Sequence, residues 1–225
     1  RIEGCAKPVI VALHGTALGG GFEVALAAHY RIGTPGLRVG LPEVNLGIIP
    51  GAGGTQRAPR LGGMRLALDM ITSGRHVPAQ EALDAGLIDE IREGEPREIA
   101  LAAAREALEG RIETRRTGEI AVERDEPALS EYREKMAKQA SLLFSPHKCV
   151  DAVEGATKPI AEGMAHERAL YRECQESPQR AGLVHAFFAE RPVAKFPEQD
   201  AEPRGLKKIG GIGPKLAGQL YVAAL

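Results

Sequence analysis

The sequence predicts an α/β fold from three observations. Residues 8–13 (PVIVAL) form a continuous apolar run rich in β-branched side chains, which favours a strand buried on both faces. A glycine run at 19–21 leads into Phe22–Ala28, whose composition is helical. From Thr55 onwards the chain carries mostly helical patterns. We therefore expect a strand–turn–helix beginning followed by a largely helical remainder.

The first half of the chain supplies the remaining predicted strands. Tyr30–Ile32 and Leu37–Val39 are short strand candidates, separated by the turn signal Thr34-Pro35-Gly36. A short edge strand is predicted over 87–91. The predicted helices here cover 64–72, 79–85 and 99–108.

The second half is predicted to be helical. Residues 109–127 are charged and lack apolar periodicity, so we interpret them as an exposed connection. Helices follow over 128–143, over 147–175 with a break near Pro159, and over 178–190. Residues 191–204 carry three prolines and mixed charge, which is typical of a linker.

Composition and net charge limit the classes of partner and site that we expect. The formal net charge is −1, so no global field favours nucleic acid or an anionic membrane. No apolar run reaches the ~20 residues that a membrane helix needs. Cys5, Cys149 and Cys174 lie far apart without a CxxC pair, which indicates a reducing compartment and argues against a metal site of the structural zinc type. Residue 1 is Arg, so we expect the sequence to begin part-way along a longer one.

Two carboxylates stand in unusual settings. Glu23 follows the glycine run at the first turn of a predicted helix, and Glu43 lies between Leu41-Pro42 and an apolar stretch. A backbone N–H exposed by glycine could stabilise the enolate oxygen of a thioester. One carboxylate could then move a water proton while the other moves a proton at the adjacent carbon. For either acid alone, a solvated surface glutamate is the competing interpretation.

Three segments resemble the crotonase superfamily, specifically its enoyl-CoA hydratases. They are KPVIVA at 7–12, ALGGGFEVA at 17–25 and LPEVNLGIIPGAGGTQR at 41–57, and the likeness continues through AQEALDAGLI at 79–88. The resemblance implies a partial crotonase-type (ClpP/crotonase-like) core over 1–108. It also implies reversible hydration of trans-2-enoyl-CoA to 3-hydroxyacyl-CoA, with isomerase side activity compatible with the second acid.

The resemblance also assigns roles by position. Glu23 matches the acid that orients and deprotonates the water, and Glu43 matches the acid that exchanges a proton at C2. Gly20 matches the glycine whose N–H forms half of the oxyanion hole. The remaining oxyanion or substrate-binding positions are Gly19, Pro50 and Gly51.

The C-terminal half resembles the connecting helices of multifunctional fatty-acid oxidation enzymes. The matching segments are PHKCVDAV at 146–153 and HAFFAER at 185–191. Those enzymes join a hydratase/isomerase domain to an NAD-dependent 3-hydroxyacyl-CoA dehydrogenase. The implied layout is a helical connecting region at 109–190, a linker at 191–204 and the start of a further domain, or a disordered tail, at 205–225.

The same resemblance implies the cofactors and partners. Hydration needs no cofactor or metal, and NAD enters only if a dehydrogenase domain follows. The expected partner is an acyl-CoA thioester. No membrane partner is expected, and the near-neutral charge disfavours nucleic acid. The parent enzyme is expected to form an oligomer or to bind a thiolase-type partner. We expect a cytoplasmic location, or a peroxisomal one in a eukaryote.

Two departures from the family pattern matter. The family's N-terminal portion carries much of the CoA-binding surface and the other oxyanion N–H, and this sequence lacks a match to it. We therefore expect exposed strand edges and weak or absent activity for the 225-residue chain alone.

The tail at 206–218 is the second departure. Gly213 and Gly218 fit the first and third glycines of a dinucleotide fingerprint, but Lys215 occupies the second position. The same residues also fit a helix-hairpin-helix that binds nucleic-acid backbone, and the alternative function is a catalytically incomplete interaction segment with such a hairpin. A disordered tail is the third interpretation, and all three stay open.

Overall fold

The structure, a computed structural model, describes residues 1–193 of the chain. Its strands are β1 (Ile10–Leu13), β2 (Thr16–Leu18), β3 (Tyr30–Gly33), β4 (Arg38–Gly40), β5 (Val77–Pro78) and β6 (Glu90–Ile91). Its α-helices are α1 (Gly20–Leu26), α2 (Gly54–Ser73), α3 (Ala79–Asp84), α4 (Pro96–Leu108), α5 (Glu126–Gln139), α6 (Ser145–Glu154), α7 (Ile160–Glu176) and α8 (Pro178–Val193). Short 3₁₀ helices cover Pro42–Leu46, Thr117–Glu119 and Gly155–Thr157.

The strands form two small sheets. One has the order β1-β3-β6 with parallel pairing throughout, and Ile10 lies opposite Tyr30. The other has the order β2-β4-β5, in which β2 and β4 are parallel and β4 and β5 are antiparallel. The predicted α/β class and the predicted edge strand near residue 90 are both present.

The first strand is less buried than its sequence predicts. Only Leu13 of β1 is buried, and Ile10, Val11 and Ala12 are partly exposed. The expectation of a strand buried on both faces is therefore wrong. Within the described residues β1 pairs with β3 alone, so its other edge has no strand beside it. This matches the strand edge that the resemblance predicted.

Helix α2 lies at the centre of the helical layer. It packs against α1, α6 and α7, and against the 3₁₀ helix Pro42–Leu46. Gly63 interrupts it with φ 79° and ψ 160°, a conformation outside the helical region that glycine adopts at little steric cost. The predicted buried helix at 64–72 is the part beyond this break.

The two halves of the chain share one hydrophobic core. Leu129 of α5 and Val150 of α6 belong to the same buried cluster as Phe22 of α1 and Ile71 of α2. Residues 1–188 form a single unit by their contacts. The proposed boundary near residue 108 therefore separates two sequence patterns and does not separate two cores.

The C-terminal helices follow the predicted breaks. Pro159 lies immediately before α7, and α8 continues to Val193, a few residues into the range predicted as a linker. The rest of that range lies outside the described residues. Nowhere in residues 1–193 is a helix both long and apolar enough to cross a bilayer.

A shared core predicts cooperative unfolding. Leu129 is 0% exposed, so Leu129→Ala should lower the free energy of unfolding by about 2–5 kcal/mol and shift one transition that includes the strands. Leu142, which is 85% exposed, supplies the control, since Leu142→Ala should change stability by about 0.5 kcal/mol or less. Denaturant unfolding of the 225-residue chain measures both. Two separate transitions, of which only one moves, would contradict a common core.

Candidate active site

Glu23 is buried in the first turn of α1. Its carboxylate is not solvated as a surface glutamate would be, because the residue is only 4% exposed. Oxygen Oε1 accepts hydrogen bonds from the Ala52 N–H at 2.8 Å and from the Gly54 N–H at 2.7 Å. The carboxylate is thus fixed against the loop Pro50–Gly54, which precedes α2.

A second carboxylate lies against the same loop. Glu167 of α7, which is 1% exposed, accepts from the Gly53 N–H at 2.8 Å and from the Thr55 N–H at 3.1 Å. The Thr55 hydroxyl also donates to Glu167, at 2.6 Å. Four successive amides, at residues 52–55, therefore alternate between Glu23 and Glu167.

This arrangement caps helix α2. Its N-cap residue is Gly53, which has no side chain to satisfy the free N–H groups of the first turn. The carboxylates of Glu23 and Glu167 accept from Gly54 and Thr55 instead. The positive end of the helix dipole favours negative charge at this position.

Glu43 lies in the 3₁₀ helix Pro42–Leu46, close to the glycine run that begins α1. A Cβ atom added to Gly19 would lie 3.1 Å from Glu43 Oε1, which places the two residues in contact. Glu43 Oε2 is buried and has no hydrogen-bond partner within residues 1–193. An acceptor oxygen without a partner is costly when charged, so this carboxyl favours the protonated form.

The pKa values of the three acids are coupled. Burial raises the pKa of Glu43 to about 7, and the negative charges of Glu23 and Glu167 add to the effect. Burial also raises the pKa of Glu23, opposed by the N–H groups of Gly54 and Ala52 and by the Arg57 charge. Burial raises the pKa of Glu167 to about 7, opposed chiefly by the Thr55 hydroxyl. The structure therefore brings Glu23 and Glu43 into one electrostatic neighbourhood.

Local geometry explains why glycine stands at several positions of the site. Gly19 has φ 56°, which side chains rarely adopt, and a Cβ there would crowd Glu43. A Cβ on Gly54 would lie 2.9 Å from Glu23 Oε1. Gly20 is exposed, and apart from its chain neighbours and the backbone of its own helix no atom of the described residues lies within 4 Å of the place its Cβ would take. The N-terminal turn of α1 is thus open to an approaching group.

Packing explains the glycine at position 51, although its sequence motif does not indicate this. A Cβ on Gly51 would lie 2.6 Å from Cδ2 of Tyr171, so glycine permits α7 to approach the loop. Pro50 is buried, and its Cβ lies within 2.9 Å of the position a Gly54 Cβ would occupy. The substrate-binding roles of Pro50 and Gly51 remain predictions.

The sequence analysis missed Glu167 and Thr55 as members of the site. Glu167 was given no role from the sequence and lies in the predicted helix 147–175. Its signal was available, because an acid stands there in the apolar stripe of α7, flanked by the buried Gly163, Leu170 and Cys174 at helical spacing.

Two cavities of the described part of the chain lie away from the candidate acids. Cavities of about 490 Å³ and 550 Å³ lie beside Cys5 and Arg115 and beside Pro59 and Arg124, and neither is lined by Glu23 or Glu43. The predicted glycines Gly213 and Gly218 and the lysine Lys215 lie outside the described residues, so the structure says nothing of a dinucleotide or hairpin site.

Named proteins resemble the whole chain. A peroxisomal bifunctional enzyme of Danio rerio is 41% identical over 100% of this chain and 32% of its own length. The human peroxisomal bifunctional enzyme is 38% identical over 95% of the chain and 31% of its own length. A peroxisomal fatty acid beta-oxidation multifunctional protein, MFP2, of Arabidopsis thaliana is 37% identical over 100% of the chain and 32% of its own length. The chain thus spans about a third of the length of these relatives.

Solved structures share the fold. An enoyl-CoA hydratase/isomerase from Pseudoalteromonas atlantica T6c superposes with a TM-score of 0.54 at 22% identity, covering 84% of this chain and 64% of that one. A putative enoyl-CoA hydratase/isomerase from Acinetobacter baumannii gives 0.53 at 22% identity, covering 83% and 62%. The predicted crotonase-type fold is confirmed.

The sequence itself assigns the family. Residues 1–149 match the profile described as enoyl-CoA hydratase/isomerase, a range that includes both candidate acids and the glycine run between β2 and α1. The chain therefore belongs to the enoyl-CoA hydratase/isomerase family.

Proposed function

We propose that the protein carrying this chain is an enoyl-CoA hydratase that adds water reversibly to trans-2-enoyl-CoA, giving 3-hydroxyacyl-CoA. One observation carries the proposal. The Glu23 carboxylate is fixed by two loop amides in the electrostatic reach of Glu43, whose pKa is raised to about 7. Acids with such different surroundings can divide the roles of base and acid.

In the proposed reaction Glu23 acts as the base. Its carboxylate accepts a proton from water while the water oxygen forms a bond to C3 of the acyl chain. The electron pair of the C2–C3 double bond moves toward the thioester, whose oxygen becomes an enolate. Because Oε1 of Glu23 is held by Ala52 and Gly54, the carboxylate is already oriented and costs little reorganisation.

Glu43 completes the addition as the acid. A pKa near 7 keeps a fraction of this carboxyl protonated at neutral pH, which is favourable for a group that must both give and take a proton. Its proton goes to C2, and the enolate collapses to the thioester product. Return of the proton from Glu23 to Glu43 through solvent restores the starting state.

Gly20 is proposed to stabilise the enolate oxygen. Its N–H lies in the first turn of α1, where backbone donors have no intrahelical partner, and its open side lets a thioester oxygen approach. Glu43 alone could shift a 3-enoyl double bond to position 2 by taking a proton from C2 and returning it to C4 of the dienolate, which gives the isomerase activity that the family name includes.

The names of the relatives support the wider setting. Relatives that this chain matches over its full length are peroxisomal bifunctional or beta-oxidation multifunctional proteins, so we propose a role in fatty-acid β-oxidation and a peroxisomal location in a eukaryote. We propose that NAD binds only to a dehydrogenase portion of the parent enzyme. Oligomer formation and a thiolase-type partner remain proposals for that parent enzyme.

The alternative of a nucleic-acid-binding interaction segment has no support. The alignment with the Danio rerio enzyme covers the whole chain, including the range that suggested a hairpin. Glu23 is also buried and hydrogen-bonded to the loop, in the electrostatic reach of the partly buried Glu43, which a segment retained only for assembly does not require.

Removing either acid should abolish hydration. Glu23→Gln and Glu43→Gln, made in the protein that carries this chain, should each lower kcat by about 10²–10⁴-fold, because each removes a positioned acid or base. The loss of enoyl-CoA absorbance on hydration measures the rate. Glu113→Gln, at an exposed position, supplies the control. Activity within threefold of the parent protein for either active-site variant would refute the proposed roles.

A methyl group at Gly19 should displace Glu43. Gly19→Ala should lower hydration by about tenfold or more, because a misplaced catalytic group costs rate steeply. Gly15→Ala is the control, since Gly15 also has positive φ (60°) but, apart from its own chain neighbours, no described atom lies within 4 Å of its Cβ position. Alanine at position 15 carries a backbone penalty, of about 1–2 kcal/mol, without contact with the acid. Equal activity losses in the two variants would show that backbone strain alone is responsible.

Ionisation of Glu43 should make the free energy of unfolding fall as pH rises. A carboxyl with a raised folded-state pKa contributes fully below its unfolded value near 4.5, and the contribution is lost as pH rises through about 7. Glu43→Gln should therefore flatten part of this decline and gain stability relative to the parent chain at pH 8, on the order of 1–3 kcal/mol. Glu167 titrates with the same sign and remains in both proteins. Parallel stability curves from pH 5 to 8 would contradict the assignment.

A further inference from the structure

Helix α7 presents one face to the loop that holds Glu23. Met164, Glu167 and Tyr171 stand three and four residues apart on this face, and each touches the loop or its immediate surroundings. Met164 Sδ lies 3.0 Å from the position a Gly53 Cβ would occupy, and the Tyr171 ring packs over Gly51. Glu167 supplies the polar contacts between them.

The contacts of Glu167 are complementary to those of Glu23. The amides of residues 52 and 54 donate to Glu23, and those of 53 and 55 donate to Glu167. The loop is therefore held between two carboxylates through alternate N–H groups. If the Glu167 carboxylate is lost, two loop N–H groups lose their acceptor, and on the α7 side only packing contacts such as the Tyr171 ring over Gly51 still hold the loop that orients Glu23.

We propose that Glu167 is a positioning residue for hydration, which acts by fixing the loop amides that orient the Glu23 carboxylate. The inference rests on the function proposed above, in which Glu23 activates water. It assigns to the C-terminal helical region a specific part of the catalytic site, beyond its contribution to the core.

The proposal predicts that loss of Glu167 affects two activities of the site to different degrees. Glu23 is oriented through the loop, whereas Glu43 lies on the 3₁₀ helix Pro42–Leu46. That helix packs against α2 and α6, and its C-cap Gly47 packs against the backbone of Arg180 in α8. The hydrogen bonds that Glu167 accepts come from Gly53 and Thr55 instead. Because the Glu167 charge is the smallest of the influences on the Glu43 pKa, loss of Glu167 should impair the step that uses Glu23 more than a double-bond shift that uses Glu43.

The test is the ratio of two rates in the protein that carries this chain. In Glu167→Gln, one carboxylate oxygen becomes an NH₂ group that faces N–H and O–H donors. We expect the kcat for hydration of a trans-2-enoyl-CoA to fall by about tenfold or more, with KM within about threefold. The rate of double-bond shift in a 3-enoyl-CoA should stay within about threefold.

A milder pair of variants covers the case in which Glu167→Gln fails to fold. Thr55→Val removes the hydroxyl that donates to Glu167 at 2.6 Å, and Thr55→Ser keeps it. We expect Thr55→Val to lower the hydration rate by a few-fold and to leave the rate of double-bond shift unchanged. Thr55→Ser should retain the hydration rate of the parent protein. Glu162→Gln, at an exposed position of the same helix, is the control for loss of a glutamate charge from α7.

The outcomes are distinguishable. An equal fall in both activities, or a rise in KM with unchanged kcat, would show that Glu167 only supports the fold or the substrate pocket, and would overturn the inference. If Glu23→Gln abolishes hydration while Glu167→Gln behaves like Glu162→Gln, the inference fails and the proposed function stands. If Glu23→Gln leaves hydration intact, both fail.

Discussion

The site depends on one constraint, the pairing of alternate backbone amides at residues 52–55 with two buried carboxylates. Glu23 from α1 and Glu167 from α7 satisfy donors at the start of α2 that its N-cap glycine cannot satisfy. The same contacts orient Glu23 and dock the C-terminal helices. Stability and chemistry are therefore coupled, because breaking these bonds would leave buried polar groups without partners.

The acids differ because their surroundings differ. The Glu23 carboxylate accepts two loop N–H bonds that stabilise its charged form, whereas Glu43 has a buried oxygen without a partner in the described part of the chain. Desolvation and the neighbouring negative charges raise the Glu43 pKa into the neutral range. Similar residues thus acquire the separate acid and base characters that addition of water across a double bond requires.

The sequence predicted the local parts of this account and missed the distant ones. The glycine run, the helix after it and the two acids stand in contiguous motifs, so spacing and likeness were sufficient to identify them. Glu167 contacts Gly53 across 114 positions, and nothing local indicates such a contact except an acid in an apolar stripe. The burial of β1 was overestimated because composition does not reveal whether a strand has one neighbour or two. The sequence also could not predict that both halves share one core, because the pattern of a helix indicates which face is apolar but not which element packs against it.

The central claim is that Glu23 and Glu43 act on one substrate around the start of α1. A crystal structure of the protein carrying this chain with a bound 3-hydroxyacyl-CoA tests this most directly. We expect the 3-hydroxyl within about 3 Å of the Glu23 carboxylate and the thioester oxygen within about 3 Å of the Gly20 N–H. We also expect C2 within about 3.5 Å of a Glu43 carboxyl oxygen. A bound thioester that contacts neither acid, or only one of them from a separate face of the molecule, would contradict it.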